Sequence, residues 1–233
     1  MKLHAAITFL LIILLKTTLP DVIPSIVIDS VYGKAEIQRE SSFEWQLASP
    51  GEKLFNNDQL KSLPESHIRL KFGDSTRIFI SQNSQLKSNL HNSGNSLISH
   101  ITLISGAAFV NVSNTNSQKT KSTLFVYTSA IKASPRDCSF LISLTPDKST
   151  GIRLLQGILP ISKIKDGSSL YFNSPYKITI GLNNDYFQQS ALLQHDIDSL
   201  KCLVPAFIVD QIMGKQLINW RLNSRNLNDK LDD

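Results

Sequence analysis

The sequence predicts an all-β protein with a small helical segment towards its C-terminal end. Between residues 26 and 180, short apolar stretches recur at intervals of about ten residues, with turn-forming residues between them. No window of that region shows a sustained 3.6-residue period of a helix. The 233 residues, 41% hydrophobic and 18% charged, suit one principal domain with a sizeable core.

The first 24 residues have the pattern of a secretory signal peptide. Lys2 precedes an uncharged apolar run over residues 5–15, and a polar, proline-containing stretch follows it. Eleven helical residues rise only about 16 Å, which is too short to cross a bilayer but typical of an export signal. We therefore expect a bacterial periplasmic or secreted protein with no stable membrane span after cleavage. A buried N-terminal helix or an uncleaved anchor is the alternative.

Three segments of the central region predict pairs of strands. In residues 68–80, apolar and polar side chains alternate on both sides of a Gly-Asp-Ser turn, which predicts a strand, a turn and a second strand. The same construction recurs around Gly106 and around residues 146–151. We expect the aromatic residues in or beside these strands to pack in the core: Trp45, Phe72, Phe79, Phe109, Phe125 and Phe140.

Two polar stretches of the β-region predict exposed loops. Residues 86–95 and 113–122 are rich in Ser, Asn, Lys and Gln. Such residues bury little apolar surface and favour local bonds between side chain and backbone.

Beyond Ile180 the pattern changes to that of helices. Asp185 and Gln188 fit a capping box, and apolar residues recur at intervals of three to four from Phe187 to Val204. This helix would end before Pro205, and a second would follow as far as Trp220. The pair would pack on the β-domain as a cap or form a separate interaction module. The predicted division is a signal peptide (1–24), a β-domain (25–182), a helical segment (183–222) and a polar tail (223–233).

The sequence contains no local motif of catalysis, of cofactor binding or of metal binding. A nucleophile elbow, a phosphate-binding loop and a dinucleotide fingerprint are missing, and five histidines and two cysteines are dispersed without metal-ligand spacing. Asp196 and Asp198 would point in different directions on a helix, so we expect solvated surface there. Cys138 follows Arg136 and Asp137, but no histidine is near to activate it. We predict a protein that is not an enzyme, with no catalytic residue, cofactor or metal.

The cysteines bear on how the fold is stabilised, and the net charge bears on which kinds of partner the protein could bind. Cys138 and Cys202 either form a disulfide, which would stabilise the fold by about 4 kcal/mol, or are two buried thiols. The net charge of +5 comes from basic residues that are scattered through polar stretches. This distribution predicts a solvated surface and no nucleic-acid partner.

Six segments in this order resemble the FecR domain family over residues 33–180. They are Trp45 with Gly51-Glu52-Lys53-Leu54; Asn57-Asp58-Gln59-Leu60; residues 67–80 (HIRLKFGDSTRIFI); residues 103–106 (LISG); residues 126–142 (VYTSAIKASPRDCSFLI); and residues 154–158 (LLQGI) with 165–167 (KDG). The resemblance implies a twisted β-solenoid-like domain. Asp137 stands where the family has glycine, so its backbone would need the left-handed conformation that Asp tolerates.

The resemblance also carries an expectation about function. Well-known members are sensors with a cytoplasmic anti-sigma segment, a membrane span and a periplasmic domain that receives a signal from an outer-membrane iron transporter. Only four residues precede the apolar run here, so we expect the periplasmic part alone. The leading hypothesis is a non-catalytic binding or scaffold module whose partner is an envelope protein or a cell-wall polymer. An accessory in iron-transport signalling through an outer-membrane receptor is the alternative, and a cell-wall polysaccharide enzyme is a minor one.

Overall fold

The computed structural model describes residues 26–73, 75–93, 96–113, 121–182 and 187–203. These residues form seventeen strands and one helix, which confirms the all-β class with a small helical segment. The strands are β1 Ile26–Tyr32, β2 Ala35–Gln38, β3 Gln46–Leu47, β4 Lys53–Leu54, β5 Gln59–Ser62, β6 His67–Phe72, β7 Thr76–Ile80, β8 Gln85–Ser93, β9 Ser96–Val112, β10 Lys121–Tyr127, β11 Ile131–Ala133, β12 Cys138–Leu144, β13 Thr150–Gln156, β14 Ile158–Lys163, β15 Ser169–Asn173, β16 Tyr176–Ile180 and β17 Phe187–Ala191; the helix is α1 Gln194–Leu203.

The strands form two sheets that share β9. Sheet A has the order β4-β1-β6-β7-β9-β12-β13-β16-β17, and its pairs are antiparallel. Sheet B has the order β3-β2-β5-β8-β9-β10-β11-β14-β15, in which β9 and β10 run parallel. Inward side chains of both sheets form one apolar core, with Leu70 and Phe140 from sheet A and Leu60 and Leu86 from sheet B. The solenoid expectation is not confirmed.

Strand β9 passes from one sheet to the other at Gly106. Its residues before the glycine pair with β8 and β10, and those from the glycine onward pair with β7 and β12. Gly106 has a φ of +78°, and a Cβ there would overlap the side chain and Cα of Ser84. The prediction of a turn between two strands at Gly106 is therefore wrong. A glycine in the left-handed conformation also permits a bend within one continuous strand.

The other two predicted strand pairs are confirmed. β6 and β7 pair through Ile68 with Ile80, and β12 and β13 pair through Phe140 with Leu154.

The exposed loop expected at residues 86–95 is wrong, since β8 occupies most of it. Leu86 and Ser88 point into the core and alternate with outward Lys87 and Asn89. The buried Ser88 hydroxyl donates to the Phe55 carbonyl over 2.6 Å. Because a polar residue occupies this core position, the alternation of inward apolar and outward polar residues in β8 is hard to recognise in the sequence. Of the second predicted loop, residues 114–120 lie outside the described residues, and β10 begins at Lys121.

The start of the predicted helix is also wrong. Phe187–Ala191 is β17, which pairs with β16, and α1 begins at Gln194. Asp185, Pro205 and the second predicted helix lie outside the described residues, as does the predicted signal peptide. The domain bounds stay predictions.

Helix α1 covers part of the outer face of sheet A. Leu200 and Ile197 pack on Phe109, Leu141 and Leu155 and form a second, smaller apolar cluster. No helix in the described part of the chain has the length and apolar character that a membrane span requires.

The aromatic residues only partly follow the expectation that they pack in the core. Phe72, Phe109 and Phe140 are buried. Trp45, Phe79 and Phe125 are half-buried: Trp45 precedes the short strand β3, and β7 and β10 turn Phe79 and Phe125 outward.

Candidate binding surface on sheet B

Outward side chains of four neighbouring strands in sheet B form a surface that we call the basic-aromatic platform. The antiparallel and parallel pairings align these side chains in rows across β8, β9, β10 and β11. The platform consists of Lys87, Asn89, His91, His100, Thr102, Phe125, Tyr127 and Lys132.

His100 lies at the centre of the platform's rings. Its ring centroid is 5.3 Å from that of His91, 5.4 Å from that of Phe125 and 5.1 Å from that of Tyr127. The first two contacts are edge-to-face, the geometry in which a ring edge meets the negative face of its neighbour. The four rings therefore support each other from three adjacent strands.

The ammonium of Lys132 is held above two of these rings. Its Nζ lies 4.0 Å from the Phe125 ring centroid and 6.0 Å from that of Tyr127. Both distances fall within the range of cation–π attraction. One face of Phe125 is thus occupied by a cation, and the position of that cation is restricted.

The charged groups of the platform are all basic. None of the residues in β8, β9, β10 or β11 is Asp or Glu. Partial burial, with smaller contributions from His91 and Lys132, lowers the pKa of His100 below its ordinary value. His100 is therefore protonated less readily than an ordinary histidine, and the two lysines provide the positive charge of the platform.

One polar atom of the platform lacks a hydrogen-bond partner. Asn89 lies directly opposite His100 in the β8–β9 register, and its Oδ1 is buried without a partner among the described residues. Such atoms are uncommon in folded proteins and call for an explanation where they occur.

Asp196 is placed differently from the sequence expectation of solvated surface. It is only 3% exposed; its Oδ2 accepts a bond of 3.0 Å from the Leu193 N–H, and Lys177 Nζ lies 3.1 Å from each of its carboxylate oxygens. Burial by itself raises its pKa, but these donors outweigh that effect and lower the pKa of Asp196 below its usual range. The expectation was wrong because tertiary packing, not position on the helix, decides which carboxylate is covered.

Asp198, two residues further on, does lie at the exposed surface. Its carboxylate accepts a bond of 3.0 Å from Gln194 Nε2. The two aspartates therefore form no catalytic pair. Asp196 instead fixes the start of α1 to β16.

A second buried carboxylate organises the region before the platform. Asp58 is 2% exposed and accepts bonds of 2.7 Å from the Phe55 N–H and 2.6 Å from Arg39 Nη1. Arg39 also pairs with Glu52. Asp58 thereby holds the turn before β5, and its role is structural.

Cys138 has the properties of a core residue. It is 1% exposed, and burial raises the pKa of its thiol to about 12. A thiol with that pKa is not a thiolate at neutral pH, so it is a poor nucleophile. No described side chain forms a disulfide with it, and the side chain of Cys202 lies outside the described set, so the disulfide and the pair of buried thiols both stay open.

Two further observations bear on the sequence expectations. Asp137 has a φ of +48°, which is the left-handed conformation expected at the place of the family's glycine. Within the described residues, no group of three His, Cys, Asp or Glu side chains could hold a metal ion.

The sequence analysis missed the platform because it interpreted the stretch that holds three of its eight residues as a loop. Lys87, Asn89 and His91 alternate with Leu86, Ser88 and Leu90. This period of two was the available signal, and it would have placed all three polar side chains on one face.

The fold and this surface define an all-β domain with an open, basic, aromatic sheet face. Residues 58–159 match the family model described as FecR protein, so this part of the chain is similar to that family. The match confirms the resemblance over those residues, whereas the resemblance itself extended further in both directions. None of the curated proteins compared with the chain matches it.

Two solved structures are similar to the chain, and both are of a candidate anti-sigma factor from Parabacteroides distasonis. They were determined at 1.65 and 2.50 Å resolution, and each has a TM-score of 0.49 and 12% sequence identity. The similarity covers 61% of this chain and 64% and 63% of those chains, respectively. It thus spans less than two thirds of their length.

Proposed function

We propose that the chain is a non-catalytic binding module of the bacterial cell envelope and that the basic-aromatic platform is its contact surface. The observation that carries the proposal is the ring cluster around His100, capped by the Lys132 ammonium. Aromatic and cationic side chains on an open sheet face are suited to binding a partner. The signal-like N-terminal segment supports the location in the envelope.

Site-specific photo-cross-linking in living bacteria tests this proposal. A photoreactive phenylalanine analogue replaces Thr102, in the middle of the platform, and in a matched control it replaces Tyr32, which is 72% exposed at the end of β1 in sheet A. We expect an envelope component attached at Thr102 and not at Tyr32. Equal labelling at both positions, or recovery of the chain in the cytoplasm, would contradict the proposal.

The FecR-family match favours a second candidate, an accessory in iron-transport signalling. Such a protein would contact the periplasmic part of an outer-membrane receptor. Deleting the gene should then abolish transcription that depends on the transporter, and the wild-type gene should restore it. Unchanged transcription in the deletion strain would exclude this candidate and leave the first one standing.

A further inference from the structure

Two lysines stand at opposite ends of one row of the platform. Lys87 pairs with Thr102, Thr102 with Tyr127, and Tyr127 with Lys132. Since neighbouring strands lie about 4.8 Å apart, the backbones at the two ends of this row are about 14 Å apart. A small anion can meet only one of these lysines, whereas a chain with repeated negative charges can meet both.

The charges of this row are not neutralised by described neighbours. Neither Lys87 nor Lys132 pairs with a carboxylate among the described residues, whereas Lys61 on β5 is paired with Glu36 at 2.6 Å. The row therefore offers charge complementarity to a polyanion. Lys132, whose ammonium is already restrained by Phe125, loses less conformational freedom when it binds.

The rings between the lysines indicate the kind of polyanion. Lys132 occupies one face of Phe125, and the His100 ring packs against Phe125 in a T-shaped contact. Stacking of flat bases needs bare ring faces, so a nucleic acid fits this arrangement poorly. Thr102 and the Tyr127 hydroxyl instead offer hydrogen bonds beside the rings.

We propose that the basic-aromatic platform binds an acidic polysaccharide, with its carboxylates on Lys87 and Lys132 and its sugar rings and hydroxyls over Tyr127 and Thr102. This inference rests on the proposed function and names the class of partner. A polymer that engages both lysines at once gains affinity from multivalency without any single strong contact.

Calorimetric titration of the full chain with polygalacturonate tests the inference, and neutral dextran is the matched polymer. We expect binding to polygalacturonate alone, weakened by salt. Lys87→Gln and Lys132→Gln should each weaken it about fivefold, because each removes one surface ion pair. Lys53→Gln makes the same charge change at an exposed position in sheet A and should leave the affinity unchanged.

Three outcomes would overturn the inference: no binding at low salt, an equal loss in Lys53→Gln, or tighter binding of a single-stranded oligonucleotide than of polygalacturonate. Urea unfolding of each variant checks that a lost affinity is not a lost fold. If polygalacturonate fails but Thr102 still cross-links to an envelope protein in cells, the acidic-polysaccharide inference falls and the proposed function stands.

Discussion

The ammonium of Lys177 lies 3.1 Å from both carboxylate oxygens of Asp196. The lysine belongs to β16 and the aspartate to the first turn of α1. This bidentate contact, together with the Leu193 N–H, attaches the helix to the sheet it covers.

Replacing Asp196 with Asn should therefore destabilise the protein. The free energy of unfolding should fall by about 2 kcal/mol, because a buried, charge-assisted contact is lost and its donors keep weaker partners. Urea denaturation measures the change. Asp198→Asn, at an exposed position of the same helix, should shift it by less than about 0.5 kcal/mol. Equal effects of the two variants would show that Asp196 does not hold the helix.

Gly106 should tolerate alanine much less well than Gly51 does. Both have positive φ, +78° and +85°, so each pays the left-handed cost of about 1 kcal/mol. A Cβ at Gly106 would also overlap Ser84, whereas a Cβ at Gly51 meets nothing within 4 Å. We expect Gly106→Ala to cost about 3 kcal/mol and Gly51→Ala about 1 kcal/mol in urea unfolding. Similar costs would argue against the tight bend in β9.

The stability of the protein should fall as the pH is lowered from 7.5 to 5. Burial, His91 and Lys132 lower the pKa of His100, so the unfolded chain binds a proton at that side chain more readily than the folded one. Acidification through the unfolded pKa of about 6.5 therefore favours unfolding.

Urea midpoints measured across this pH range, with NMR titration of the His100 ring, check that prediction. In His100→Gln the slope of stability against pH should be smaller, because one source of linkage is gone. A His100 that titrates above its ordinary pKa would reverse the sign and refute the argument.

Cys138 should react with thiol reagents only after the protein unfolds. Burial and a pKa of about 12 leave almost no thiolate at neutral pH. In Cys202→Ser, which leaves Cys138 as the sole thiol, labelling by iodoacetamide should be slow in buffer and rapid in urea. Rapid labelling of the folded variant would place Cys138 at the surface. In the wild type, two thiols released only by reductant would indicate the Cys138–Cys202 disulfide, whereas two thiols released by urea alone would indicate two buried thiols.

The fold class and the resemblance to the FecR family could be predicted from the amino-acid sequence. Alternation around the Gly-Asp-Ser turn predicted β6 and β7, and residues 146–151 predicted the turn between β12 and β13, because a two-residue period and a turn are local properties. The FecR resemblance and the left-handed conformation at Asp137 were readable for the same reason: each depends on residues that are neighbours in the chain.

Which polar residues are covered, and which lie together on one surface, depends on tertiary packing. Ser88 points into the core because its hydroxyl finds the Phe55 carbonyl 33 residues away, and Asp196 is buried because Lys177 reaches it from β16. His100, Phe125 and Lys132 come from three strands whose pairing includes the parallel contact of β9 with β10. Pairing between distant segments brings these side chains together, and no local pattern in the sequence records it.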